Sequence, residues 1–521
     1  MAQAGGPRPC QHALRRPPWV LHSTSLLMEP IACGMAFCTT DTSVPPASAH
    51  VSQENSMSMA SFWAQLRGAR KSQGRKSQGG DGAEKENLEN LKPDNSKAIA
   101  ENAQSSNLAA ERGLGKQQPQ ANVIADKQAA EKVPAKAEKP VQKLGGALRE
   151  PEKTVEEEPG FHTATVQYKS IRTNFKVRTH LSYSKAIGSG AYGIVAKLED
   201  TATGKAMAVK KVSRAFDDLA DGKRILREVR LLRFFNHDNI VRLLDMYTPG
   251  GPDFEDIYMA TEIMEMDLTR VIRSSEPLLE DHHRWMTYQI LLGVLYIHSA
   301  GVVHRDLKPS NILVNRDCSV KICDFGLSRG SVKGTGIAGE ERGTTSKMTE
   351  YVVTRYYRAP EVVLLASEYG PAIDVWSVGC ILCEMIGRKP VFKGKDHLDQ
   401  IDQIIDVMGS PTEEDMAWLK QSPSACRFVA RFAGRPGKPW SRLYPEASGN
   451  AIGAITSMLR FDPGRRLLTA ECLRLPYYSE VWRQEDEVVA CETIDWSFDH
   501  FTPTRKLLQE RIAAEVAALQ N

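Results

Sequence analysis

The run Val303-His304-Arg305-Asp306-Leu307-Lys308-Pro309-Ser310-Asn311 and the shorter Ile322-Cys323-Asp324-Phe325-Gly326 that follows it decide how this chain reads. A carboxylate at Asp306 stands five residues before the carboxamide of Asn311, and a second carboxylate, Asp324, sits in a turn punctuated by Gly326. Together they offer one general base and two hard oxygen donors of the kind magnesium takes.

Upstream, from about His180, apolar residues alternate and the run Ile187-Gly188-Ser189-Gly190-Ala191-Tyr192-Gly193-Ile194-Val195 appears. Glycines at Gly188, Gly190 and Gly193 let a hairpin lie over a polyphosphate with backbone N–H groups facing it, because no Cβ blocks the approach. A strand, a turn at Thr203-Gly204 and a second strand follow, where a dinucleotide fold requires a helix, which argues against a Rossmann site. In the second strand, Met207-Ala208-Val209-Lys210, a period of two puts Ala208 and Lys210 on one face, a small residue for adenine and an ammonium for phosphate. In the helix that follows, Ile225, Glu228 and Leu232 share a face, so one acid lies among apolar neighbours. Glu228 is therefore expected to pair with Lys210.

Composition bounds the rest. Only Trp19, Phe37, Phe62 and Trp63 among the aromatic residues precede Phe161. The first third lacks the large apolar side chains that offset chain entropy, and it reads as a disordered, low-complexity tail over residues 1–165, with KSQG at Lys71 and again at Lys76. With 67 Lys and Arg against 64 Asp and Glu, the net charge of +3 argues against nucleic acid or an acidic membrane as a general partner. No run of about 20 apolar residues suggests a membrane span. The 10 cysteines are too sparse and irregular for a disulfide framework, which favours a reducing compartment. Cys380 and Cys383 sit in an apolar helical stretch without a second pair, and read as buried thiols, not zinc ligands.

With Ala359-Pro360-Glu361 downstream, five ordered motifs resemble the eukaryotic protein kinases over about residues 178–478. Thr349-Glu350-Tyr351, just ahead of that motif, resembles the dual phosphorylation site of the extracellular-signal-regulated kinases, within the mitogen-activated protein (MAP) kinase family. The resemblance implies an α+β, two-lobed fold, with a small β-rich N-lobe over 178–264 and a large helical C-lobe over 265–478. Residues 479–521 would form a docking patch and a C-terminal extension packing on the N-lobe, with a helix at 503–519 capped by Thr502.

The resemblance further implies ATP and Mg2+ as cofactors. Asp306 would orient the substrate hydroxyl, Lys308 steady the γ-phosphate, Lys210 contact phosphate, and Asn311 and Asp324 hold magnesium. Ile187, Gly188, Gly190, Gly193, Val195 and Ala208 would line the nucleotide, with Thr261 as gatekeeper, the backbones of Glu262 and Met264 on adenine, and Asp267 on the ribose. A phosphate on Thr349 would meet Arg224, Arg227, Arg305 and Arg329, and one on Tyr351 would meet Arg355 and Arg358. Glu485-Asp486-Glu487 matches an acidic docking patch, although Arg483 stands where that patch often begins with Asp. His304 and Phe325 read as packing residues, Asp374 as an anchor of the catalytic-loop backbone, and Glu361 and Arg466 as a buried bridge.

The function so implied is a proline-directed serine/threonine kinase of a signalling cascade, monomeric, cytoplasmic with nuclear entry. Its partners would be an upstream dual-specificity MAP kinase kinase, phosphatases, and substrates with basic-hydrophobic docking peptides. A pseudokinase scaffold is the rival, and the intact Gly188, Gly190, Gly193, Lys210, Glu228, Asp306, Asn311 and Asp324 argue against it. Thr349-Glu350-Tyr351 and the C-terminal extension argue against a cyclin-dependent kinase.

Overall fold

Against the expected tail boundary at residue 165, the chain is already in strand at Phe161. A computed structural model describes residues 158–190, 193–331, 355–365 and 370–520. In it β1 (Phe161–Tyr168) and β2 (Ile171–Arg178) form an antiparallel hairpin with Phe161 opposite Arg178. Val166, Phe175 and Val177 are fully buried and carry the apolar face. Phe175 meets Tyr258 edge-on at 5.7 Å, the Tyr258 hydroxyl accepts from the Lys176 N–H at 3.0 Å, and the Tyr247 hydroxyl donates to the Lys176 carbonyl at 3.1 Å. The turn at Lys169-Ser170 holds Lys169 at φ 54°, a conformation usually announced by Gly or Asn. Without that signal the hairpin was hidden.

The hairpin covers one face of a five-stranded antiparallel sheet: β3 (Leu181–Gly190), β4 (Gly193–Asp200), β5 (Ala206–Val212), β6 (Leu243–Tyr247) and β7 (Ile257–Glu262), in the order β3-β4-β5-β7-β6. Ile194, Ala196, Leu198 and Val209 are buried on that face, and the two-residue period therefore turns Ala208 and Lys210 to the other. The register sets Ala208 opposite Thr261, and Lys210 opposite Val195 and Met259. Helix α1 (Leu219–Phe234) crosses behind the sheet, its first N–H groups taken by the Asp218 carboxylate, with Ile225, Glu228 and Leu232 buried as read.

The remainder is helical around α2 (Glu280–Ser299) and α3 (Ala372–Gly387), whose Tyr288 and Trp376 are fully buried. Cys380 and Cys383 lie inside α3 with no disulfide, and burial pushes the Cys383 thiol up to about 12. Among the described residues no cluster of His, Cys, Asp and Glu is arranged to hold a metal ion by itself, and no helix is long and apolar enough to cross a membrane. Short strands frame the loops that matter: β8 (Met266–Asp267), β9 (Val302–Val303), β10 (Ile312–Val314), β11 (Val320–Ile322) and β12 (Arg329–Gly330). Pairing of β9 with β12 and of β10 with β11 brings the loop carrying Asp306 beside the turn carrying Asp324.

Helix α4 (Arg505–Gln520) packs on α1, with Leu508 and Ile512 fully buried and the Glu515 carboxylate bridging Arg230 and Arg233 of α1 at 2.9 and 2.7 Å. Its cap is Thr504, not Thr502: the Thr504 hydroxyl accepts from the Leu507 N–H and its carbonyl from Leu508. Pro503 thus lies ahead of the helix.

Candidate active site

The loop around Asp306 is fastened from below. The N–H groups of His304 and Arg305 donate to the two carboxylate oxygens of Asp374 at 2.8 and 2.9 Å, and His298 lies 2.9 Å from the same group. Burial alone would raise the Asp374 pKa, yet these donors hold it below the usual carboxylate range. Arg305 has φ 72°, a conformation unfavourable for a side chain with a Cβ, and the bond to Asp374 is what sustains it. His304 also packs on Phe325 at 4.9 Å, and Phe235 closes the other side at 5.1 Å.

On this base three side chains converge. Lys308 Nζ lies 2.6 Å from Asp306 Oδ2, and Asn311 Nδ2 donates to the same oxygen at 3.1 Å and to the Asp306 carbonyl at 2.9 Å. With its nitrogen so committed, Asn311 has its carboxamide oxygen to offer a cation, beside a long 3.4 Å bond that it accepts from the Ser310 hydroxyl, and Asp324 adds a carboxylate from φ 67°. Two hard oxygens suit magnesium, a cation that takes oxygen donors. Burial, helped by the charge of Asp324, raises the Asp306 pKa, and Lys308 pulls it back. A base must be deprotonated to act, so activity falls as pH drops through that raised pKa. Lys308→Ala removes the opposing cation and should move the acid limb of kcat/KM to higher pH; an unmoved limb would deny Asp306 the role of base.

Above the loop, Lys210 Nζ sits 3.1 and 3.0 Å from the two oxygens of Glu228. Burial opposes the ammonium, but Glu228 and Asp324 outweigh it and raise the Lys210 pKa. Ile187, Val195, Ala208, Thr261 and Met264 are half-buried. The glycines divide their labour. A Cβ on Gly193, at φ 150°, would stand 1.8 Å from the Lys211 carbonyl oxygen, whereas one on Gly188 would meet nothing within 4 Å. Gly193→Ala should therefore lose stability, while Gly188→Ala should fold normally and raise KM for ATP about tenfold, or about 1.4 kcal/mol. Thermal unfolding and ATP titration of both variants test this, and the reverse order refutes it. Glu262 spends its N–H on the Arg242 carbonyl at 3.1 Å, and Asp267 caps the short helix Leu268–Ile272, accepting from the Arg270 N–H at 3.1 Å. Sequence reasoning missed both local duties.

A protein kinase domain is matched over residues 181–478. The chain is 43% identical over 354 residues to "Extracellular signal-regulated kinase 1" of Dictyostelium discoideum, covering 68% of this chain and 65% of that protein. It is 41% identical over 334 residues to "Mitogen-activated protein kinase 3" of Arabidopsis thaliana, covering 64% and 87%, and 43% identical over 350 residues to "Mitogen-activated protein kinase mpkA" of Aspergillus fumigatus, covering 66% and 81%.

The chain belongs to the mitogen-activated protein kinase family. It is a serine/threonine protein kinase, and membership of that family implies ATP as phosphoryl donor.

In this MAP kinase, the arginines read as phosphate receivers have other engagements. Arg227 is 2% exposed, donating to the Gly326 carbonyl at 2.7 Å and to both oxygens of Asp499 at 3.0 Å, so no surface of it is left for a phosphate in this arrangement. Arg224 pairs with Asp221 at 2.8 Å, Arg329 donates to the Ser328 carbonyl at 2.9 Å, and Arg355 donates to the Lys395 carbonyl. Thr349 and Tyr351 lie outside the described residues. The docking acids are likewise divided. Asp486 accepts from the Tyr288 hydroxyl at 2.9 Å, and Glu487 accepts from the Trp482 indole at 2.8 Å and pairs with Arg474 at 2.7 Å. Glu485 alone of the three is exposed, beside an exposed Arg483. A three-acid patch therefore does not form here; a 3-10 turn over Gln484–Asp486, with Glu487 closing it, puts successive side chains in different surroundings.

Proposed function

We propose that this kinase transfers the γ-phosphoryl group of ATP to Ser or Thr residues followed by Pro, and is switched on by phosphorylation of both Thr349 and Tyr351. The convergence of Lys308 and Asn311 on Asp306, with Lys210 already paired to Glu228, is the observation that carries the reading. Asp306 accepts the proton of the substrate hydroxyl as its oxygen attacks phosphorus. Lys308 offsets charge at the transferred group, and Glu228 keeps Lys210 on the phosphates. Asn311 and Asp324 would hold Mg2+, which would supply positive charge against the phosphates. An upstream dual-specificity kinase would add the two phosphates and phosphatases remove them, with the enzyme working in the cytoplasm and entering the nucleus. Docking peptides would meet the Glu485 carboxylate in a weaker negative field than three acids give.

The test is a Ser-Pro peptide assayed before and after treatment with a dual-specificity activator. The treated protein should gain activity many-fold, and Thr349→Ala with Tyr351→Phe should abolish the gain. Full activity of that double variant after treatment would sink the switch, and absence of transfer under every condition would return the scaffold.

A further inference from the structure

We infer that Asp499, in the C-terminal extension, is a positioning residue for phosphoryl transfer, acting through Arg227 on the turn that carries Asp324. The inference rests on Asp324 being the metal ligand proposed above. The extension runs as a strap across the back of both lobes. The Ile494 N–H donates to the Ala300 carbonyl at 3.0 Å, and Trp496 lies so close to Gly330 that a Cβ there would stand 2.7 Å from the indole. Asp499 then reaches the guanidinium of Arg227, and the Phe501 carbonyl accepts from Lys223 of α1 at 3.1 Å.

Arg227 is held from two sides. One terminal nitrogen donates to Gly326, two residues beyond Asp324, and the other is shared by both oxygens of Asp499. A planar guanidinium so gripped has no rotational freedom left. Asp324 stands at φ 67°, where a side chain with a Cβ is unfavourable and outside support is needed. The bond to the Gly326 carbonyl supplies it. The next residue of α1, Glu228, holds Lys210. Neighbouring positions on one helix thus secure the lysine and the metal-binding turn, and the strap fixes that helix through a carboxylate no catalytic motif contains.

A merely structural ion pair would change stability and leave metal affinity alone, so the readout is magnesium. The full-length kinase, saturated with a non-hydrolysable ATP analogue, is titrated with Mg2+ by calorimetry, and the Mg2+ concentration for half-maximal activity is measured in parallel. Removing an outer partner of a metal ligand typically weakens binding about 10–100-fold. Asp499→Asn, acting one contact further out through Arg227 and the Gly326 carbonyl, should fall at the lower end of that range, about tenfold, with KM for the protein substrate unchanged, and Asp499→Glu should recover most of the loss. Arg227→Lys, which keeps the charge but loses the fork, should show the same shift and serves if the Asn variant folds poorly. Unchanged Mg2+ affinity in folded Asp499→Asn or Arg227→Lys overturns the inference, whatever the unfolding temperature does. Asp324→Asn separates the two readings: if it still binds Mg2+ normally, the metal ligand is misassigned, whereas loss there with a silent Asp499→Asn removes the role of Asp499 alone.

Discussion

Replacing Asp306 by Asn should lower kcat about 10²–10⁴-fold, the usual worth of a positioned general base, while KM for ATP and the unfolding temperature stay near those of the parent. The substitution is close to isosteric. Its carbonyl oxygen still accepts from Asn311, and the backbone carbonyl that receives the other Asn311 bond is untouched. The Asp374 anchor below does not depend on the side chain at all. What disappears is the proton acceptor and the negative charge beside Lys308, so the loss belongs to the chemical step. Peptide kinetics with the activated protein, read beside thermal unfolding, decide it. A loss under tenfold would mean that Asp306 is not the base, and a large drop in unfolding temperature would mean that the loop had collapsed.

The residues that could be placed from sequence are those whose chemistry demands a fixed spacing. Asp306, Lys308 and Asn311 lie within one loop, so their order alone predicts their convergence. Lys210 and Glu228 are farther apart, yet a strand of period two and a helix of period 3.6 leave each one inward face. The 2.7 Å bridge between Glu361 and Arg466 spans a long separation and was legible only through resemblance. Where sequence reading fell short, a local detail prevailed over the pattern. Lys169 made a tight turn without glycine, Thr504 took the cap that Pro503 suggested for Thr502, and Asp486 and Glu487 found Tyr288, Trp482 and Arg474 before solvent. Arg227 is the most informative case. The resemblance implies a phosphate contact for Arg227, but nothing in the composition of Trp496-Ser497-Phe498-Asp499 implies that a carboxylate also reaches it.

Breaking the Glu361–Arg466 bridge should cost stability on a scale that no exposed pair in this kinase approaches. Both side chains are essentially without solvent, and two near-parallel bonds of 2.7 and 3.1 Å join them. Arg466 also donates to the carbonyls of Ala372 and Arg460 at 2.8 and 2.9 Å and lies over the Trp376 ring at 5.2 Å. One guanidinium therefore ties the helix Pro360–Leu365 to the start of α3 and to the loop at Arg460. Glu361→Gln strands a buried cation, which costs about 3–5 kcal/mol, or roughly 10 °C in unfolding temperature at the two to four degrees per kcal/mol of large domains. Arg466→Met strands the anion and the carbonyls of Ala372 and Arg460 together, so it should be the worse of the two. The double variant, Glu361→Leu with Arg466→Met, leaves no orphan charge and should be less destabilised than the sum of the single changes. Calorimetric unfolding of the set provides the check. Additive losses would show that the two charges do not depend on each other, and the bridge would then be an incidental contact, not the clamp that seats the helix Pro360–Leu365 on α3 and the loop at Arg460.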